Sequence, residues 1–189
     1  MNLPNKLTMF RIILIPVLII VYLFKGILGV NTFWILGIIF VVASVTDYFD
    51  GKIARERNLV TTFGKFIDPL ADKLLVLAAL LILSDNFLSN PYMWMPFWVP
   101  IIILSREFIV TSIRLVAING GKVIAASKYG KYKTAFTMMT LVFYFFVMPL
   151  NISWITYIGI VFTVISVLLT IYSGVDYFLK NKNIILESV

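Results

Sequence analysis

Runs of about twenty residues with almost no charge recur from one end of this chain to the other, and they limit its fold more than any other feature. They fall at roughly 10–28, 32–50, 67–84, 95–117, 133–149 and 153–178. As a helix rising about 1.5 Å per residue, each is long enough to cross a hydrocarbon core of about 30 Å. Turn formers separate them: Gly26, Gly29 and Asn31 after the first run, the polar stretch Gly51 to Lys65 after the second, and Asp85 to Pro96 after the third. Trp94 in that third connection and Trp98 just after it suit a membrane interface. Asn119, Gly120 and Gly121 end the fourth run, and Pro149 and Asn151 mark a tight fifth turn. The expectation is an all-α membrane protein with six transmembrane helices in one domain over 1–189, preceded by a short interfacial segment at 2–9. Lys6 and Arg11 stand before the apolar Ile12 to Phe24 with no small-residue cleavage site, which reads as an uncleaved first span rather than a signal peptide.

Charge is scarce, at 13% of residues, against about 25% in an ordinary soluble domain. The surplus is nevertheless basic, with 16 Lys+Arg against 9 Asp+Glu. In a soluble chain such an excess suggests nucleic acid; between apolar runs it marks cytoplasmic loops and anionic head groups, and no nucleic-acid partner is expected. Lys52, Arg55, Arg57 and Lys65 lie in one loop, and Lys122, Lys128, Lys131 and Lys133 in or beside another, whereas the opposite side holds only Lys25. The positive-inside rule therefore puts both basic loops and both termini in the cytoplasm, and an even number of spans requires termini on the same side. Cys and His are both absent. That excludes a disulfide, a thiolate nucleophile, a zinc–sulfur site and a histidine base, and any bound metal must be hard and oxygen-ligated, such as magnesium, manganese or calcium.

Four of the nine acidic residues fall in one window: Asp47, Asp50, Asp68 and Asp72. The first pair is three apart at the cytoplasmic end of the second span, the second pair four apart at the start of the third, so each pair shares a helix face. A short loop brings the two faces together. Four carboxylates beside lipid need compensation, which two divalent cations would give, and a two-metal site can clamp the attacking and leaving oxygens of a phosphoryl displacement. The bland alternative is an acidic patch paired with Arg55 and Lys65. Two further rivals are an intramembrane prenyltransferase, whose aspartates follow another spacing, and a small cation transporter, whose acids belong near mid-membrane rather than at one face.

The chain between the acids reads Asp47-Tyr-Phe-Asp50-Gly51-Lys-Ile-Ala54-Arg55, then eight residues, then Gly64-Lys-Phe-Ile-Asp68-Pro-Leu-Ala-Asp72. This resembles the signature of the CDP-alcohol phosphotransferases, and all eight of its fixed positions match over 47–72. The resemblance implies that Asp47, Asp50, Asp68 and Asp72 hold two divalent ions, Mg2+ or Mn2+, and that Asp72 is also the general base. It implies that Gly51, Ala54 and Gly64 leave room for the cytidine nucleotide, although helix packing or a C-cap explains small residues there equally well on spacing alone. Arg55 would face the nucleotide phosphates, with an ion pair to Glu56 or lipid as its alternative.

Arg106 and Arg114 lie inside an otherwise apolar run, and an intramembrane arginine normally faces an internal cavity. Their spacing puts them within about 80° of each other on a helix. With Lys131 and Lys133 at the start of the fifth span they could line a pocket for an anion; Glu107 is one possible partner of Arg106. Positive-inside anchoring is the competing explanation, strongest for Lys122 and Lys128.

Three looser stretches are similar to a bacterial branch of the same family that uses glycerol 3-phosphate as acceptor. They are Asn2-Leu-Pro-Asn5-Lys-Leu-Thr8-Met-Phe-Arg11-Ile12, Ser105-Arg106-Glu107-Phe-Ile-Val-Thr111-Ser-Ile-Arg114, and Gly130-Lys131-Tyr-Lys133-Thr134. One departure is Thr137, where many members carry Gln. This resemblance implies a homodimer in the bacterial plasma membrane that takes CDP-diacylglycerol and glycerol 3-phosphate. Asn5, Thr8, Gly51, Ala54, Arg55 and Gly64 would bind the liponucleotide, and Arg11, Arg106, Arg114, Lys131 and Lys133 the acceptor.

Overall fold

The computed structural model describes residues 3–56, 62–87, 90, 92–119 and 127–186. Every regular element among them is helical: α1 (Leu3–Leu23), α2 (Lys25–Leu28), α3 (Asn31–Glu56), α4 (Thr62–Phe87), α5 (Trp98–Asn119), α6 (Lys128–Phe146), a 3-10 turn (Met148–Leu150) and α7 (Ser153–Leu186). Each apolar run of the sequence maps onto one long helix, the first spilling over into α2.

Two helices, over Asn5–Leu23 and Ser153–Lys182, are long and apolar enough to cross a membrane, and Asn31–Asp47 is a shorter apolar stretch. The other three long helices have charges inside them, such as Lys73, Arg106 and Lys133. Large apolar side chains lie bare on the outside, among them Leu23, Ile27, Phe97 and Tyr157, each more than 70% exposed. Such a surface matches lipid rather than water.

Two boundaries differ from the sequence expectation. Residues 3–9 continue α1 without a break instead of forming a separate interfacial segment. Nothing between Asn5 and Arg11 interrupts a helix, and Thr8 and Arg11 are buried against other helices. The break comes later, at Phe24, followed by the single turn of α2 and by Gly29 at φ 58°, a left-handed conformation that costs glycine nothing. The turn before α7 falls where Pro149 and Asn151 predicted it, with Asn151 at φ 55°.

The helices pack as two groups. α1 lies chiefly on α3 and α4, while α7 lies on α5 and α6. The seam between α6 and α7 is held by buried hydroxyls: Thr137 and Ser166 meet at 2.9 Å, and the Tyr144 hydroxyl lies 2.8 Å from Thr163 and donates to the Trp94 carbonyl at 2.6 Å. Such bonds replace the hydrophobic drive that lipid does not supply between helices. The two groups join where α4 meets α5 and α6 and, chiefly, where α3 crosses α6. There Gly37 lets α3 approach so closely that a Cβ on it would stand 2.7 Å from the Phe146 ring and 2.9 Å from the Phe145 Cβ.

Candidate active site

The acidic side of the site is built by the first helix group. α3 carries Asp47, α4 carries Asp68 and Asp72, and α1 inserts two polar residues between them. Thr8 donates to Asp68 Oδ1 at 2.7 Å, and Arg11 Nη1 meets Asp47 Oδ1 at 2.5 Å. Arg11 is wholly buried, so its charge depends on that carboxylate. The charge of Asp68 acts on Asp47, and that of Asp47 acts on Asp72. Gly64 is buried in the first turn of α4, and Asn5 is half-buried on α1. α3 continues through Asp50, Gly51, Ala54 and Arg55, but their side chains lie outside the described residues. Among the described residues no three acids stand close enough to hold a metal ion.

The basic side belongs to the second group. Glu107 on α5 receives two cations on one oxygen: Arg106 Nη1 at 2.9 Å and Lys133 Nζ, from α6, at 2.6 Å. Neighbouring residues on a helix point about 100° apart, so Arg106 reaches Glu107 only by curling its long arm back. Small residues give it room: a Cβ on Gly130 would lie 3.3 Å from the guanidinium and one on Gly174 3.1 Å from its stem. Ser127 caps α6, accepting from the Gly130 backbone at 3.0 Å, which fixes the turn that carries Lys133.

A cavity of about 50 Å3 lies where the two sides meet, lined by Asp72, Lys73, Glu107, Lys133, Thr134 and Thr137. Asp72 is the junction: Asp47 and Arg11 act on it from one side, Glu107 and Lys133 from the other. A carboxylate between an acidic cluster and a cationic one can take a proton from a group that is held by the cations and faces the acids.

The sequence profile of the CDP-alcohol phosphatidyltransferases matches residues 1–172. This chain belongs to that family. It is 42% identical over 190 aligned residues, 95% of each chain, to the CDP-diacylglycerol–glycerol-3-phosphate 3-phosphatidyltransferase of Bacillus subtilis (strain 168). A protein of the same description from Rickettsia typhi is 39% identical, covering 94% of this chain and 95% of its own. The probable phosphatidylglycerophosphate synthase of Mycobacterium tuberculosis (strain ATCC 25618 / H37Rv) is 38% identical over 93% of this chain and 79% of its own. As a member of this family the chain is a transferase.

Within this phosphatidyltransferase the sequence-predicted residues divide unevenly. Asp47, Asp68, Asp72, Thr8 and Arg11 come together, and so do Arg106 and Lys133. Arg11, expected at the acceptor, is paired with Asp47 instead, because α1 crosses the acids and not α6. Arg114 turns to α7, where Nε donates to the Tyr177 hydroxyl at 3.3 Å and the guanidinium lies 5.6 Å from the ring centroid. Lys131 is exposed. Sequence reasoning passed over Lys73 and Thr111, which meet at 2.5 Å, and gave Glu107 too small a part. Lys73 did carry a signal, being a cation inside an apolar run just as Arg106 is.

Proposed function

We propose that the enzyme transfers the phosphatidyl group of CDP-diacylglycerol to the hydroxyl of glycerol 3-phosphate, releasing CMP. The observation that carries this reading is the position of Asp72 between the acids of α3 and α4 and the Arg106–Glu107–Lys133 group. The relatives' descriptions support the choice of donor and acceptor.

The donor set fits hard divalent cations. Asp47, Asp68 and Asp72 offer only carboxylate oxygens, Asp50 follows one turn after Asp47 on the same helix, and the chain has no nitrogen or sulfur ligand to compete. Two Mg2+ or Mn2+ ions held by these four residues would offset charge on the pyrophosphate and on the phosphorus under attack. Asp72 accepts the proton of the acceptor hydroxyl as charge develops on it. Arg11 orients Asp47 through its ion pair, and Thr8 orients Asp68 by donating to it. Arg106 and Lys133 hold the acceptor phosphate; Arg114 and Lys131 belong to the same basic face. Asn5, Gly51, Ala54, Arg55 and Gly64 shape the nucleotide side.

The protein works as one domain and as a homodimer in the bacterial plasma membrane. All six long helices cross, with both termini and the active site on the cytoplasmic side. Single cysteines report this cleanly, because the chain has none. A Lys128→Cys variant should resist an impermeant thiol reagent in intact cells and react after permeabilisation; labelling in intact cells refutes the orientation. The reaction itself is tested with an acceptor panel: CDP-diacylglycerol with glycerol 3-phosphate, serine, inositol phosphate or glycerol, scored by CMP release. Turnover is expected with glycerol 3-phosphate, and turnover with serine in its place overturns the assignment.

A further inference from the structure

We propose that Lys73 is a direct ligand of the acceptor's phosphate and helps restrict the enzyme to anionic acceptors. The proposal rests on the acceptor reading given above. Lys73 follows Asp72 on α4 and lines the same cavity as Lys133. Its ammonium donates to Thr111 Oγ1 at 2.5 Å, and Thr111 in turn donates to the Glu107 carbonyl at 2.8 Å. That relay aims Lys73 across the helix interface from α4 to α5.

What separates Lys73 from its neighbours is the lack of a countercharge. Arg106 and Lys133 share the one carboxylate of Glu107. Among the described residues no carboxylate lies within ion-pair distance of Lys73, whose contacts are Thr111 and, at 6.0 Å, the Phe108 ring. An ammonium in an apolar run without an acid beside it calls for an anion. Two cations, Lys73 and Lys133, thus line the cavity beside Glu107, which also holds Arg106, and in the proposed reaction Asp72 is committed to the acidic side. The remaining surplus of positive charge matches a phosphomonoester, which is close to doubly charged at neutral pH. The cavity, about 50 Å3, suits the phosphoryl end of a small acceptor and is too small for a nucleotide. Lys73 Nζ keeps donors beyond the one used on Thr111, whose hydroxyl holds the chain in place without neutralising it.

The test compares Lys73→Met, which keeps length and loses charge, with Lys73→Arg. In CMP-release kinetics Lys73→Met should raise KM for glycerol 3-phosphate by about ten- to a hundred-fold, the usual effect of losing a charge-assisted contact, and leave KM for CDP-diacylglycerol unchanged. Lys73→Arg should recover most of the loss. Independently of turnover, inorganic phosphate should raise the thermal midpoint of the detergent-solubilised wild type in chelator, and Lys73→Met should need correspondingly more phosphate for the same rise. Equal stabilisation of Lys73→Met and wild type by phosphate overturns the proposal, as does a fall in kcat alone or an equal rise in KM for both substrates. A wild type that ignores glycerol 3-phosphate refutes the proposed reaction, and the phosphate titration then still decides the role of Lys73.

Discussion

The two sides of the active site solve the same problem, charge beside lipid, in opposite ways. On the acidic side Asp47, Asp68 and Asp72 face one another's charge, and Arg11 is the one buried cation beside them among the described residues. On the basic side two cations converge on one oxygen of Glu107, and a third, Lys73, rests on a hydroxyl. One side lacks positive charge and the other lacks negative charge. On the proposed reading, cations complete the acidic side and the anionic acceptor the basic one. Had the chain been built for stability alone, pairing acids with bases across the cavity would have served better.

The largest effect should come from the acidic side. Asp47→Asn, Asp68→Asn and Asp72→Asn each keep shape and remove one charge and, on the proposed reading, one metal ligand. CMP release is expected to fall on the order of 10²-fold or more, since a bound metal supplies several kcal/mol of charge stabilisation, and chelator should silence the wild type. Full turnover in two of these variants would end the comparison. Next in size is Glu107→Ala. Lys133 is 4% exposed and Arg106 12%, so the lost carboxylate leaves two nearly buried charges unanswered. A stability loss of about 3 kcal/mol is expected, the low end for a broken buried pair, and thermal unfolding in detergent measures it. Adding Lys133→Met to that variant should restore part of the loss; no restoration would mean that Glu107 stabilises by packing.

Arg106→Ala and Lys133→Ala sharpen the contrast from the substrate side. Each should raise KM for glycerol 3-phosphate by about ten- to a hundred-fold with little change for CDP-diacylglycerol, whereas Lys131→Ala, at an exposed position, should change neither. Steady-state titration of both substrates decides it. If Lys131→Ala matches Lys133→Ala, the basic side is a diffuse field rather than a site.

The smallest effect lies at the far end of the molecule. The Asp85 carboxyl is held below its usual range by a 2.5 Å hydrogen bond from Tyr22 and then by Lys25, 3.3 Å away. A depressed carboxylate stabilises the fold above its unfolded pKa, near 3.9, and that contribution vanishes as pH falls through the lower, folded value. Asp85 is largely exposed, so Asp85→Asn should cost within roughly 0–1 kcal/mol at neutral pH. The difference from wild type should close in acid. A gap that widens in acid would contradict the sign.

Helix content was legible in the sequence, as was the sharing of one helix by Asp68 and Asp72, because both depend on periodicity. A three- or four-residue spacing fixes a face whatever the tertiary structure does. The partners of those faces were not legible. Arg106 and Arg114 share a helix and a nominal face, yet one curls toward Glu107 and the other toward Tyr177. A long side chain with several rotatable bonds is aimed by what lies opposite, here Gly130 and Gly174 for the first and an aromatic ring for the second. The resemblance of the opening stretch puts Arg11 among the acceptor residues. Only the crossing of α1 over α3 shows that it serves Asp47. The turns read well for the opposite reason, since Gly29 and Asn151 act through their own backbone and need no partner.

Gly37 lies ten residues before Asp47 on α3, about 15 Å along the helix axis. It is the point at which the helix bearing that acid presses on the helix bearing Lys133. A pivot so far from the chemistry acts as a lever: rocking α3 there by a few degrees displaces Asp47 by around an ångström relative to the basic side. Added bulk at Gly37 is therefore expected to push α3 from α6 and shift Asp47 relative to Lys133, while every reactive group keeps its identity.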